Sequence, residues 1–318
     1  MTKPWPCWDG LMKIKVGWEK TIFNPDHVNW MYQSSPDCHF GFWRARETSV
    51  FVKRFVHPPT GWNLLEECLS QPVPNTPAVL DLKSDNQYLY LFASKLEGDV
   101  FPAILQKKQI RKYFSAPALG WEDRLKIFMV VYATLRHINE RGYWYPDLDF
   151  KNLFIAGAGG GYEVFLIDVD SCAESQKPFK PDHVSQTYWE GMVNAYHRLG
   201  KKIINRDNPV QPVLASQGSH LNQSMIILFA YAIQRVGFVP HDLPLFAPLI
   251  HPQNPHSRWV LRTHEKLAHG EDCWQEIDEF LPRFFKISPS RFESLVKQYS
   301  GRKDRWYDVL AKKVLRAI

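Results

Sequence analysis

Apolar and polar positions near the start of the chain alternate in short runs. Residues 40–45 and 49–55 are rich in aromatic and β-branched side chains, and the polar Arg46-Glu47-Thr48 lies between them. That pattern predicts two strands and a turn. Residues 78–82 and 87–93 predict two more strands, joined by Lys83-Ser84-Asp85-Asn86. Between the pairs, residues 61–70 place Trp62, Leu64, Leu65, Cys68 and Leu69 on one face of a short helix, and Pro72, Pro74 and Pro77 end it. The order is strand, strand, helix, strand, strand.

After Leu96-Glu97-Gly98-Asp99 the period changes. From Trp121 onward, Leu125, Phe128, Met129, Tyr132, Leu135 and Ile138 recur at helical spacing. Arg141-Gly142 supplies a basic residue and a glycine to end that helix. Short strands are predicted over 153–155 and 163–167, then a long irregular stretch to about residue 218 with one helix near 188–199. Residues 221–236 read as a buried apolar helix, and further helices are expected over 273–285, 289–299 and 302–315. No internal repeat is visible. The expected fold class is α+β, with a small antiparallel β-rich lobe over 1–95, a large helical lobe over 96–318, and a cleft where they join.

Composition narrows the classes. Of 318 residues, 45% are hydrophobic and 23% charged, which excludes wholesale disorder. The longest uncharged apolar run, residues 225–233, is far short of a bilayer span, so no transmembrane segment is expected. The N-terminus has no apolar core resembling a signal peptide. Five cysteines without metal-ligand spacing point to a reducing, cytoplasmic setting. The net charge of +6 lies entirely in residues 286–318, which carry nine Lys/Arg and three Asp/Glu. Such a segment is a solvated face of terminal helices or a contact for an acidic partner.

Two segments carry chemistry. Tyr145-Pro146-Asp147-Leu148-Asp149-Phe150-Lys151-Asn152 follows the long helix, and Phe165-Leu166-Ile167-Asp168-Val169-Asp170 ends an apolar strand. Phosphoryl transfer needs a carboxylate to orient the attacking hydroxyl, oxygen ligands for Mg²⁺, and a cation on the nucleotide phosphates. Asp147 suits the first role. Asn152 and Asp168 suit the second, since Mg²⁺ prefers carboxylate and carbonyl oxygens. Gly157-Ala158-Gly159-Gly160-Gly161 lies between two short strands with no helix after it, so it reads as a hairpin turn rather than a dinucleotide-binding loop. His251 and His256 have no third ligand nearby and read as structural.

In these motifs the chain resembles the protein-kinase superfamily over roughly residues 30–240. Asp147 and Asn152 match its catalytic-loop Asp-x-x-x-x-Asn. Asp168-Val169-Asp170 matches its metal-binding Asp-x-x, and Ser49-Val50-Phe51-Val52-Lys53 matches its β3 lysine strand. The resemblance implies a bilobal fold and an ATP- and Mg²⁺-dependent phosphotransferase. Lys53 would sit on the nucleotide phosphates, paired with Glu66 or Glu67 of the short helix, Glu66 lying nearer its buried edge. Asp147 would act on the acceptor hydroxyl, and Asn152 and Asp168 would hold the metal. With the linker residue Glu97 these form the expected nucleotide-binding set. The resemblance has departures. Tyr145-Pro146 replaces the usual His-Arg, Asp149 stands where protein Ser/Thr kinases carry a lysine, and Asp-Val-Asp replaces Asp-Phe-Gly, as in small-molecule and lipopolysaccharide-core kinases. Ser34-Ser35-Pro36-Asp37 is a poor phosphate loop, and no Ala-Pro-Glu is present. The expected acceptor is a hydroxyl on a protein Ser/Thr, with a small molecule or glycolipid as the alternative. A nucleotide-binding pseudokinase scaffold is the second reading. A glycosyltransferase using Asp168-Val169-Asp170 is the third, but it requires βαβ units that the antiparallel pattern does not supply.

Overall fold

Met12 and Ile14 are buried and Lys13 between them is exposed, the period-two pattern of a strand with one covered face. The computed structural model describes residues 12–16, 19–31, 37–45, 48–106, 113–114, 119–157, 161–176, 218–235 and 255–300. The helices expected over 188–199 and 302–315, His251, and residues 34–36 of the candidate phosphate loop lie outside them. The fold is α+β, β-rich toward the N-terminus and helical toward the C-terminus. The chain divides into two compact units, the first ending at Glu97 and the second beginning at Gly98.

In the first unit, β1 (Met12–Val16) and β2 (Glu19–Phe23) form an antiparallel hairpin. A five-stranded antiparallel sheet follows: β3 (Asn29–Met31), β4 (Cys38–Ala45), β5 (Thr48–Phe55), β6 (Val79–Ser84) and β7 (Leu89–Ser94), in the order β3-β4-β5-β7-β6. One face packs Trp43, Val50, Val52, Tyr90 and Phe92 against Met12, Ile14 and Phe23 of the hairpin. The Phe23 ring stands edge-on to Phe92 at 4.8 Å and to Trp43 at 5.1 Å. Alternation puts Phe51, Lys53 and Phe55 on the other face, where Phe55 meets Trp62 of α1 (Trp62–Cys68) at 6.5 Å. Gly41 is required because a Cβ there would lie 2.5 Å from the Asn29 carbonyl oxygen.

Two local expectations shift. Leu69 is the C-cap of α1 and is 43% exposed, so it does not join the buried face. The β6–β7 turn starts two residues later than expected. Asp85 closes it by accepting the backbone N–H of Gln87 and of Tyr88, each at 2.7 Å, so Lys83 and Ser84 remain in the strand.

The second unit holds β8 (Gly98–Val100), α2 (Phe101–Gln106), α3 (Trp121–Glu140), β9 (Tyr143–Trp144), β10 (Leu153–Ala156), β11 (Glu163–Leu166) and β12 (Ala173–Glu174). Helices α4 (Gly218–Arg235), α5 (Ser257–Ala268), α6 (Trp274–Phe284) and α7 (Pro289–Ser300) complete it. The β10–β11 hairpin is antiparallel, so the glycine segment 157–161 joins paired strands as expected. β8 adds to β10, and Gly98 permits it, since a Cβ would lie 1.9 Å from the Ile155 carbonyl oxygen. α3 and α4 form the core, with residues 225–233 of α4 all buried. α3 ends at Glu140, Arg141 caps it, and Gly142 follows at φ 79°. α5 packs on α4 and α7 on α3. Among the described residues no helix is long and apolar enough to cross a membrane, and Cys38, Cys68, Cys172 and Cys273 form no disulfide.

α5 sets an acid limit on stability. His264 is fully buried, its Nδ1 donating to the Val260 carbonyl at 2.8 Å, and burial depresses its pKa to about 4. The unfolded ring takes up a proton below its ordinary value of 6.5, while the folded ring stays neutral until about 4. This contribution is complete above pH 6.5 and declines as pH falls toward 4, by roughly 3 kcal/mol in all. Urea melts of His264→Gln at pH 7 and pH 4.5 are expected to differ less than those of the wild type.

Candidate active site

Residues 147–152 alternate in and out. Leu148 and Phe150 are buried, Asp147 is partly exposed, and Lys151 is exposed. The Phe150 ring lies 5.6 Å from Phe101 and 5.3 Å from Phe229, so an aromatic wedge fixes the loop to α2 and α4. A 3-10 turn over Phe150–Asn152 follows, and Asp149 caps it by accepting the Lys151 N–H at 3.3 Å.

Asn152 donates its amide to the Asp147 carboxylate at 2.9 Å and to the Asp147 carbonyl at 2.8 Å. The β10–β11 register then carries Asn152 to the end of the hairpin, where its carbonyl accepts the Ile167 N–H at 2.9 Å, one residue before Asp168. Asp168 has left-handed backbone, φ 59° and ψ 37°. A non-glycine residue there is uncommon, and such conformations cluster at functional sites. Tyr145 is fully buried and donates its hydroxyl to the Ile167 carbonyl at 2.8 Å. Burial first, and then the charges of Asp168 and Asp147, hold its phenol far above its ordinary value. It therefore remains a neutral donor that ties the Asp147 loop to the Asp168 strand. Burial also pushes the Asp147 carboxyl upward, while the Asn152 amide and Lys151 pull it down and Asp149 adds to the rise. Lys151 Nζ lies 3.3 Å from Asp147 Oδ1.

A residue outside the predicted set holds the loop from behind. Asn222, on α4 and fully buried, accepts the Tyr145 N–H at 2.9 Å and donates to the Tyr145 carbonyl at 2.8 Å. Asn139 of α3 donates to the same Asn222 oxygen at 2.9 Å and to the Tyr143 carbonyl at 2.8 Å. β9 also pairs with β12, joining the start of the loop to the segment after Asp168. Asn222→Leu would leave the Tyr145 backbone and the Asn139 amide short of partners inside the core. It is expected to cost about 3 kcal/mol in a urea melt.

The remaining predicted residues lie in or at the end of the first unit. Lys53 is 3% exposed on β5, the middle strand of the sheet, with Phe40 and Leu91 as register neighbours. It is not a surface lysine guarding an edge. A buried ammonium is retained only with compensating partners. Lys53 shares its sheet face with Phe55, the residue that meets α1. On α1, Glu66 is exposed, and its carboxylate accepts the Trp62 indole N–H at 2.9 Å. Glu67 is exposed too. Glu97, also exposed, is the last residue of the first unit.

The second-unit cluster offers carboxylate and amide oxygens on one hairpin end. Both Asn152 amide contacts go to Asp147, which leaves its Oδ1 as the atom able to coordinate a cation. Asp168, one residue beyond the Ile167 N–H that bonds the Asn152 carbonyl, carries carboxylate oxygens, a donor type that Mg²⁺ accepts. Among the described residues no group of three or more His, Cys, Asp or Glu is placed to hold a metal. Compared with protein-family models and with curated proteins, the sequence gives no match.

Proposed function

We propose that the chain is an ATP- and Mg²⁺-dependent phosphotransferase of protein-kinase-like bilobal fold, moving the γ-phosphoryl group to a hydroxyl. One observation carries this reading: Asp147, Asn152 and the strained Asp168 converge on one hairpin end, locked together by Tyr145 and Ile167. A hydroxyl-orienting carboxylate beside a two-oxygen metal site is what such a transfer requires. The buried, central-strand Lys53 supports it, since a lysine in that setting suits a polyphosphate.

In this mechanism Asp147 orients the acceptor hydroxyl and takes its proton. The acceptor oxygen bonds to the γ-phosphorus as the bond to the bridging oxygen breaks, and ADP leaves with that electron pair. Asn152 and Asp168 would hold Mg²⁺, which supplies charge neutralisation on the phosphate oxygens. Lys53 holds nucleotide phosphates, and Glu66 and Glu97 complete the nucleotide-binding set. The acceptor is a protein Ser/Thr hydroxyl. One observation favours a small-molecule or glycolipid hydroxyl as the second reading: Asp149 spends its carboxylate capping a turn where protein Ser/Thr kinases place a lysine.

The test is a transfer assay on the purified chain with Mg²⁺ and γ-labelled ATP. Autophosphorylation and a panel of protein, sugar and lipid alcohols are read by mass spectrometry, alongside a thermal shift with nucleotide. Label on any hydroxyl supports the reading. Nucleotide binding with no transfer to itself, water or any acceptor replaces it with a nucleotide-binding scaffold.

A further inference from the structure

The first unit carries a cation that the reaction does not use. Strand parity puts Arg54 on the sheet face opposite Lys53, beyond Val50 and Val52 and level with His39 of β4 and Tyr90 of β7. The strand order brings Trp30 and Tyr88 to it from opposite sides, and its guanidinium lies 4.3 Å from the centre of the Trp30 ring and 4.7 Å from that of Tyr88. Both rings are fixed. The Trp30 indole N–H donates to the Pro25 carbonyl at 3.0 Å, and the Tyr88 backbone N–H donates to the Asp85 carboxylate at 2.7 Å. Among the described residues the Arg54 guanidinium makes no ion pair and no hydrogen bond, and its Nε is sealed from water. The acids of this face are committed elsewhere. Asp85 also accepts the Tyr90 hydroxyl, and Asp81 pairs with Lys83, which lies level with Tyr90 on β6, at 3.2 Å. The fold alone does not call for an arginine here. A cation between two rings adds modestly to stability. A sealed N–H without an acceptor works against it, and a leucine or methionine would fill the slot without that penalty.

We propose that the Trp30–Arg54–Tyr88 stack is a docking site for a partner protein, gripping one of its Asp or Glu side chains end-on. The proposal does not depend on the phosphotransferase reading. With both flat faces covered, the half-buried guanidinium presents the N–H groups of its outer edge, a planar fork that matches the paired oxygens of a carboxylate. A single unpaired cation with Asp81 and Asp85 on the same face suits a singly charged acid better than a phosphate dianion. Arg, Trp and Tyr are also the side chains that dominate the energetics of protein–protein contacts. The two rings hold the fork in one plane before the partner arrives, so little side-chain freedom is lost on binding. They also keep water from both sides of the ion pair, which strengthens it.

The sealed Nε–H is its own reporter, because exchange with water is slow there. Nuclear magnetic resonance spectra of the isotope-labelled full chain are recorded, with the Arg54 Nε–H peak assigned by its loss in Arg54→Lys and the Trp30 indole N–H peak by its loss in Trp30→Phe. The probes are acetyl-Gly-Glu-Gly-amide and its glutamine and phosphoserine counterparts, titrated at pH 7 and matched ionic strength. The glutamate peptide is expected to move both peaks saturably, with a dissociation constant of about 1 mM. The glutamine peptide should leave them in place, and the phosphoserine peptide should bind no more tightly than the glutamate peptide. Read at the Trp30 peak, Arg54→Lys keeps the charge but not the fork and should bind the glutamate peptide about tenfold more weakly; Tyr88→Leu removes one wall and should bind it about threefold more weakly. Arg54→Leu should melt no lower than the wild type, since the sealed donor is gone. Wild-type peaks that move equally with glutamate and glutamine, or with neither, overturn the site. Full affinity in Arg54→Lys overturns the fork, and tighter binding of the phosphoserine peptide makes this a phosphate site instead. If Arg54→Leu melts several degrees lower, the stack is a structural tie and the proposal fails.

Discussion

Asp147→Asn is expected to lower turnover by about a thousandfold, the range in which general-base and positioning groups act. The substitution is chosen because it keeps the Asn152 contact. An amide oxygen still accepts the hydrogen bond that now spans 2.9 Å, so the loop retains its shape while losing charge and proton affinity. ATP affinity should be unchanged, because this group meets the acceptor and not the nucleotide. Melting temperature should move little, because the turn after it is capped by Asp149. Turnover, nucleotide affinity and melting temperature are measured on one preparation. A variant that keeps its specific activity per folded molecule would remove Asp147 from the reaction and leave it a purely structural ligand of Asn152.

Asp168→Asn is expected to abolish the gain in ATP affinity that Mg²⁺ gives the wild type. Asparagine tolerates the left-handed backbone at φ 59° as well as aspartate does, so the change tests charge and not strain. Alanine would confound the two. The measurement is a pair of ATP titrations, with Mg²⁺ and with a chelator. In the wild type they should differ by at least about tenfold, and in the variant they should coincide. If magnesium strengthens binding to the variant as much as to the wild type, the ligand is elsewhere. Asp170, two residues on and buried, is then the next to substitute.

The features legible in the sequence are those with local causes. The strands around Lys53, the long helix ended by Arg141-Gly142, and the five-residue spacing of Asp147 and Asn152 all follow from near neighbours. Other features needed distant partners. β8 is three residues long and exists because Gly98 can approach the Ile155 carbonyl, more than fifty positions away. The Asn222 clamp joins residues 77 apart in sequence. In the sequence Asn222 is one of five polar side chains in the first turns of the helix, with Ser219, His220, Gln223 and Ser224, and nothing local singles it out. α5 is harder to see because buried Thr263 and His264 interrupt its apolar face. The β1–β2 hairpin was readable in principle. Met12, Ile14 and Val16 alternate with Lys13 and Lys15, a period masked by the lysines.

The segment 147–152 also behaves as a code read two letters at a time. Leu148 and Phe150 face the interior and Asp147, Asp149 and Lys151 do not, because the Asn222 clamp at Tyr145 and the 3-10 turn over Phe150–Asn152 hold the segment at both ends. Exchanging one residue type for another at a given position leaves that parity intact. Deleting or inserting a single residue disturbs it, displacing Leu148 and Phe150 from the interior and drawing charged neighbours inward. The loop should therefore accept point changes in its outward positions far more readily than any change in length. A library randomised at position 151 should yield many folded variants, while one-residue insertions between Pro146 and Asn152 should yield almost none.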